Sequence, residues 1–292
     1  MPVKIAIASG KGGTGKTTVS VNLFHFIRQL WTRRVALVDC DVEEPNDLIF
    51  FPKAKLLTEK DATLPVPQII TDNCTFCRKC VDWCEFNAIV VIPPVKFAEI
   101  NPGLCHSCGA CLEACRDDAI VEKPYSIGKI KSYSLDDKAG IVEGLLKIGS
   151  AMQTSLIKIV KKEPVNDVEV ILYDAPPGTS CPVVTTTADA DYIILVTEPT
   201  PFGLHDLKLT VDLLRELEKP FGVIINKAGL GNHDVYDYLK KEDIELIGEI
   251  PFDKKYASGY AKGEILEYIL GEMEKTYRRI VEELKEKVSD YA

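Results

Sequence analysis

The chain lacks what would carry it onto a nucleic acid or through a membrane. Its 35 lysines and arginines are outnumbered by 44 aspartates and glutamates, for a net charge of −9 and a pI near 5.1. No basic block interrupts that balance, which argues against a nucleic-acid-binding face. No apolar run approaches the ~20 residues that a membrane-spanning helix needs. The opening MPVKIAIASG turns glycine-rich too soon for a signal peptide. The expectation is a soluble, cytoplasmic protein. Glutamine is scarce beside lysine and glutamate, a weak pointer to a thermophilic source. With 292 residues there is length for one large domain or two modest ones, each with an ample core. Cysteine is the exception to this plainness: there are ten, and their tight spacing in a cytosolic chain favours metal over disulfides.

The chain is organised around Ser9 to Thr18, SGKGGTGKTT, which follows the apolar run Val3 to Ala8 and opens the apolar-periodic segment Thr17 to Leu30. A strand, a glycine loop and a G-K-T opening a helix make a phosphate cradle from loop N–H groups and the positive end of the helix. Gly10, Gly12, Gly13, Thr14, Gly15 and Thr18 belong to that cradle. Lys16 is placed to reach the β- and γ-phosphates of ATP or ADP, and the Thr17 hydroxyl to ligate Mg²⁺. Arg34 to Asp39 (RVALVD) and Val168 to Asp174 (VEVILYD) read as further buried strands. Their terminal acids fall where parallel α/β sheets bind ligands. Asp174 then has the Walker B role of aiding Mg²⁺.

Lys11 gives the loop a second lysine. KGGTGKT resembles the deviant Walker A loop of the MinD/ParA ATPases, a class that includes the nitrogenase iron protein and cluster-carrier ATPases. The resemblance implies a nucleotide-dependent homodimer in which Lys11 reaches the partner's nucleotide; the plain alternative is a solvated loop lysine. It also implies a switch I in which Asp41 orients the attacking water and Asp39 lies nearer the metal, although an aspartate there also suits a turn cap. DAPPG matches switch II, with the Gly178 N–H sensing the γ-phosphate. Asn226 takes the adenine-reading position, and Pro251, Phe252 and Asp253 lie on the loop beside the base.

A second pattern occupies the interval from Asp61 to Pro124. DNCTFCRKCVDWCEFNAIVV recurs as GLCHSCGACLEACRDDAIVE, offset by 31 residues, and each copy holds Cx2Cx2Cx3C. This is the spacing of bacterial two-cluster ferredoxins, in which the fourth cysteine of each run serves the other cluster. That pattern assigns Cys74, Cys77, Cys80 and Cys115 to one [4Fe–4S] cluster, and Cys105, Cys108, Cys111 and Cys84 to the other. Zinc is the rival, but it prefers CxxC knuckles separated by longer loops. Glu85 and Arg116 stand where the ferredoxin pattern has proline, which touches turn geometry and redox potential but not the ligand set. His106 reads as a surface residue. Prolines flank the module, and close termini make such an insertion tolerable.

Elsewhere, Ile127 to Tyr133 and Gly140 to Ile148 read as a strand pair, followed by an amphipathic helix over Ser150 to Lys162 whose Lys158, Lys161 and Lys162 form a solvated end. Asp191 to Glu198, Gly222 to Asn226 and Gly248 to Asp253 read as strands, with a helix over Thr210 to Lys219. Cys40 reads as a small buried thiol. Cys181 lies in switch II, where the nitrogenase iron protein has a ligating cysteine, but it reads as a small, partly buried thiol. The apolar stripe over Gly263 to Asp290 reads as core-facing. Its mixed Glu/Lys polar face and acidic SDYA end argue against membrane binding.

The expected fold is a mostly parallel α/β P-loop sheet covered by helices on both faces (residues 1–60 and 125–292), interrupted by a small α+β ferredoxin-like domain (61–124). The expected function is an ATPase that couples nucleotide-driven dimer closure to electron transfer through two [4Fe–4S] clusters toward a redox acceptor. The alternative is an ATP-dependent factor that assembles or carries clusters for client proteins. A MinD-like positioning ATPase ranks third.

Overall fold

In a computed structural model of the chain, residues 1–31, 33–163, 167–269 and 271–289 are described. The elements run β1 (Val3–Ala8), α1 (Lys16–Leu30), β2 (Val35–Asp39), β3 (Lys55–Ile69), α2 (Lys79–Asp82), β4 (Ile89–Ile92), β5 (Phe97–Ile100), α3 (Ala110–Ala114), β6 (Ile120–Ser134) and β7 (Ala139–Leu146). They continue as α4 (Gln153–Val160), β8 (Val170–Asp174), α5 (Cys181–Thr187), β9 (Tyr192–Thr197), α6 (Pro201–Glu216), β10 (Phe221–Ala228), α7 (Asp234–Lys241), β11 (Leu246–Pro251), α8 (Lys254–Ala261) and α9 (Glu272–Val288).

Near-continuous apolar strands demand cover on both faces, and the sheet has it. Its order is β11-β10-β9-β1-β8-β2-β7-β6-β3, parallel from β11 through β7 and antiparallel at the β7–β6 and β6–β3 pairings. Because side chains alternate along a strand, Val3, Ile5 and Ile7 face a core that contains Leu23, Phe24, Tyr277 and Ile280 of α1 and α9. Ala6 and Ala8 face the other core, with Leu156 of α4 and Leu207 and Val211 of α6. Small alanines on that side let the helices approach the sheet.

Register places the cysteine module. Gly128 of β6 pairs with Leu146, the last residue of β7. Residues 120–127 therefore continue past the carboxyl end of the parallel strands, still paired with β3 through Ile69–Ile120. The module projects from the same edge of the sheet as the loop after β1. The boundaries at 60/61 and 124/125 fall inside β3 and β6, which run unbroken from sheet to module. Pro65 and Pro67 sit in β3 because it is an edge strand, where a missing N–H spoils no ladder.

Three expectations are corrected. The helix expected to begin at Thr210 begins at Pro201, where the Thr200 hydroxyl accepts from the Gly203 N–H as an N-cap. The C-terminal stripe is divided: Ile265–Tyr268 forms a short 3-10 turn, and α9 starts only after Gly271, whose φ is 61°. Residues 290–292 of the acidic end lie outside the described residues. Lys161 is no solvated helix end: its side chain is 8% exposed, donates to the Thr185 and Thr186 carbonyls, and pairs with Asp189. It caps the carboxyl end of α5.

Candidate functional site

The carboxyl ends of β1, β2, β8, β10 and β11 surround a cleft of about 390 Å³, lined by Lys11 through Thr18, Asp41, Asn46, Asn226 and Pro251 through Asp253, among others. Gly15 is there for two reasons. Its φ of 88° suits glycine, and a Cβ would stand 2.1 Å from the Asn226 side chain. That asparagine is 6% exposed, and its amide donates to the Thr14 carbonyl at 2.8 Å. The adenine-reading candidate therefore also braces the loop.

Lys16 is buried and bonded to Asp174 at 2.8 Å. Burial opposes its charge, but Asp174 beside it, with Asp47 and Asp39 behind, outweighs that and raises its pKa. Thr17 and Ser20 also donate to Asp174, at 3.0 and 2.6 Å. Asp39 accepts the N–H groups of Asp41, Asn46 and Asp47, so it pins the loop after β2. Burial, then repulsion from Asp174, pushes Asp39 up to about 7. Burial also lifts Asp41 to about 6, against the pull of Lys16. The Gly178 N–H is held by the Ser9 carbonyl at 2.9 Å and must leave it to meet a phosphate. Asp253 caps α8, accepting from the Lys255 and Tyr256 N–H groups, so its carboxylate serves the helix.

Lys11 pairs with Glu198 of its own chain at 2.9 Å, and Lys227 takes the other Glu198 oxygen at 2.8 Å while donating to the Gly13 carbonyl. The two lysines hold the Glu198 carboxyl below its usual range despite burial. Glu198, Lys227, Ser20 and Asp47 are not among the expected site residues. The first two end strands at the ligand-binding edge, and Ser20 lies one turn beyond Lys16, so those positions carry a signal. Asp47, which opens the short 3-10 turn Asp47–Phe50, carries none.

The eight cysteines of the repeat line two separate cavities. One is bounded by Cys74, Cys77, Cys80 and Cys115 and the other by Cys84, Cys105, Cys108 and Cys111, the crossed grouping that the spacing suggests. The backbone repeats too: Phe76 and Ser107, Arg78 and Gly109, and Asn87 and Asp118 are three pairs 31 residues apart, all with positive φ. The Phe76, Ser107 and Ala88 N–H groups point at the Cys74, Cys105 and Cys84 sulfurs at 3.4 Å. Thiolates around one zinc stand about 3.8 Å apart. Among the described residues no three thiols come within 4.8 Å of one another. Cys77 and Cys108 are the exposed corners of their cavities, and His106, exposed, stacks on Phe86 at 3.8 Å. Cys40 is buried as expected, whereas Cys181, expected partly buried, is exposed at the start of α5.

Backbone hydrogen bonds connect the two regions. Leu146 donates to the Val42 carbonyl in the loop after β2, Lys147 to Ile127, and Ala151 to Gly103, two residues before Cys105.

The CobQ/CobB/MinD/ParA nucleotide-binding domain family matches residues 5–266. An uncharacterized protein of Methanocaldococcus jannaschii is 32% identical over 263 residues, covering 89% of this chain and 90% of that one. An iron-sulfur cluster carrier protein of the same organism is 24% identical over 301 residues, covering 98% of this chain and 84% of that one. Among solved structures, the septum site-determining protein MinD with Mg-ADP from Pyrococcus horikoshii aligns at TM-score 0.59 and 20% identity. That alignment covers 100% of this chain and 99% of that one, and it speaks for the fold. No helix of the described residues is long and apolar enough to cross a membrane.

Proposed function

Because the chain belongs to the CobQ/CobB/MinD/ParA nucleotide-binding family, we propose that it is a Mg²⁺-dependent ATPase that carries iron–sulfur clusters and delivers them to client proteins. The observation that carries this reading is the exposed corner of each four-thiol cavity. Cys77 and Cys108 face solvent on a module that projects from the nucleotide edge of the sheet. An exposed thiolate is the ligand that a client thiolate can replace, since exchange depends on access. Relatives named as cluster carriers over most of this chain support the same reading. In this proposal the eight cysteines hold two [4Fe–4S] clusters, Lys16, Thr17 and Asp174 hold Mg-ATP, and Asp41 positions water. Loss of the γ-phosphate moves the loop after β2, and the Val42–Leu146 and Ala151–Gly103 hydrogen bonds pass that movement toward Cys105.

Electron transfer from retained clusters is the second reading, favoured by the completeness of both four-thiol sets. One experiment separates them. Protein loaded with ⁵⁷Fe clusters is mixed with an apo-ferredoxin-type client, with and without Mg-ATP, and both are repurified. The carrier reading expects ⁵⁷Fe to leave the chain as the client gains it, faster with ATP. Full retention of ⁵⁷Fe, with ATP-dependent reduction of an added acceptor by clusters first reduced with dithionite, replaces it with electron transfer.

Dimer closure adds an expectation about Lys11, which must leave Glu198 to reach a partner's nucleotide. Lys11→Ala is expected to bind ATP normally but hydrolyse it more slowly, while Glu198→Gln raises the nucleotide-dependent dimer fraction in sedimentation velocity. Unchanged turnover in Lys11→Ala refutes the cross-dimer role.

A further inference from the structure

Asp39, Asp47 and Asp174 each offer an oxygen within 4.8 Å of the other two, and all three residues are buried to 1% exposure or less. Two of them are accounted for. Asp39 accepts three backbone N–H groups, and Asp174 accepts from Lys16, Thr17 and Ser20. Asp47 is not: it is fully buried, and neither carboxylate oxygen has a hydrogen-bond partner. A buried carboxylate without a partner is among the costliest groups a fold can hold, and those that persist are paired or bind metal. Lys16 is the cation facing all three acids, and it is already bonded to Asp174. Ionised together, the three carboxylates exceed that one ammonium by a charge that one divalent ion would neutralise on displacing the protons that burial favours on Asp39 and Asp47.

We propose that Asp39, Asp47 and Asp174 form a divalent-cation site that takes Mg²⁺ or Mn²⁺ without nucleotide, with Asp47 as its distinguishing ligand. Mg²⁺ is ordinarily bound by one or two carboxylates completed by substrate phosphates. Here the third carboxylate supplies charge that phosphate would otherwise bring, so the ion precedes the nucleotide instead of arriving with it. Bound there, it competes with Lys16 for Asp174 and frees the ammonium toward incoming phosphates. Such a site operates whether the clusters are delivered or retained.

The probe is Mn²⁺, titrated into nucleotide-free, cluster-loaded protein and followed by loss of the free-ion electron paramagnetic resonance signal. The expected result is one tight Mn²⁺ per chain, displaced by Mg²⁺. Asp47→Asn is nearly isosteric and removes the unpaired charge, so it should fold; it is expected to bind Mn²⁺ at least about 10–100-fold more weakly, the scale on which losing even an outer-shell partner weakens a metal site. Mg²⁺ should also raise the unfolding temperature of the unmodified chain more than that of Asp47→Asn. Absence of tight Mn²⁺ binding without nucleotide overturns the proposal. So does equal affinity in Asp47→Asn, which would make Asp47 a protonated structural group and the bound ions surface ions.

Discussion

Lys16→Ala is expected to bind no ATP in equilibrium dialysis and to unfold at markedly lower denaturant than the unmodified chain. The two losses share a cause. The Lys16 ammonium is 7% exposed, bonded to Asp174 at 2.8 Å, and faces Asp39 and Asp47. Removing one partner of a buried charge pair costs about 3–5 kcal/mol, because the other is left uncompensated. Binding fails for a separate reason, since the cradle loses the charge that answers the β- and γ-phosphates, so it is measured well below the unfolding transition. The pH dependence, taken in EDTA without nucleotide, has a definite sign. Asp39 sits near 7 when folded against an ordinary 3.8, so between those values the folded chain binds more protons than the unfolded one. Stability therefore falls as pH rises through that window, and the fall extends to higher pH in Lys16→Ala, where the cation that favours ionisation of Asp39 is gone. An unchanged denaturant midpoint in the variant would mean that the acids carry no charge to be balanced.

The second large effect concerns the thiols. If the cavities hold [4Fe–4S] clusters in the crossed arrangement, the chain carries about eight irons, and paired substitutions separate crossed from sequential ligation. Cys77→Ser with Cys115→Ser damages one cavity twice and is expected to leave about four irons. Cys77→Ser with Cys84→Ser damages both cavities and is expected to leave almost none. Sequential ligation, with Cys74 to Cys84 as one set, reverses the two outcomes. Iron analysis of anaerobically reconstituted protein decides between them, and zinc in place of iron would refute both.

The nucleotide loop is legible in the order of residues alone, because its chemistry depends on neighbours along the chain, set between an apolar strand and a periodic helix. The thiol grouping is legible too, because an internal repeat displays its own symmetry. The long strands β3 and β6 are not. Much of β3 is exposed and interrupted by prolines, and that composition also describes a linker. Lys161 misleads because its neighbours Lys158 and Lys162 suggest a solvated run, while its partners Thr185, Thr186 and Asp189 lie more than twenty residues downstream.

Short segments of the chain suffice to specify a parallel α/β nucleotide-binding protein with two four-cysteine runs, since strand, glycine loop and ligand spacing are local properties. Three further relations came from the folded molecule: the cysteine module leaves the sheet on the nucleotide side, Glu198 holds Lys11 and Lys227, and Asp47 completes a buried acidic trio. They join residues far apart along the chain, and their proximity is set by strand register and packing, which no local pattern encodes.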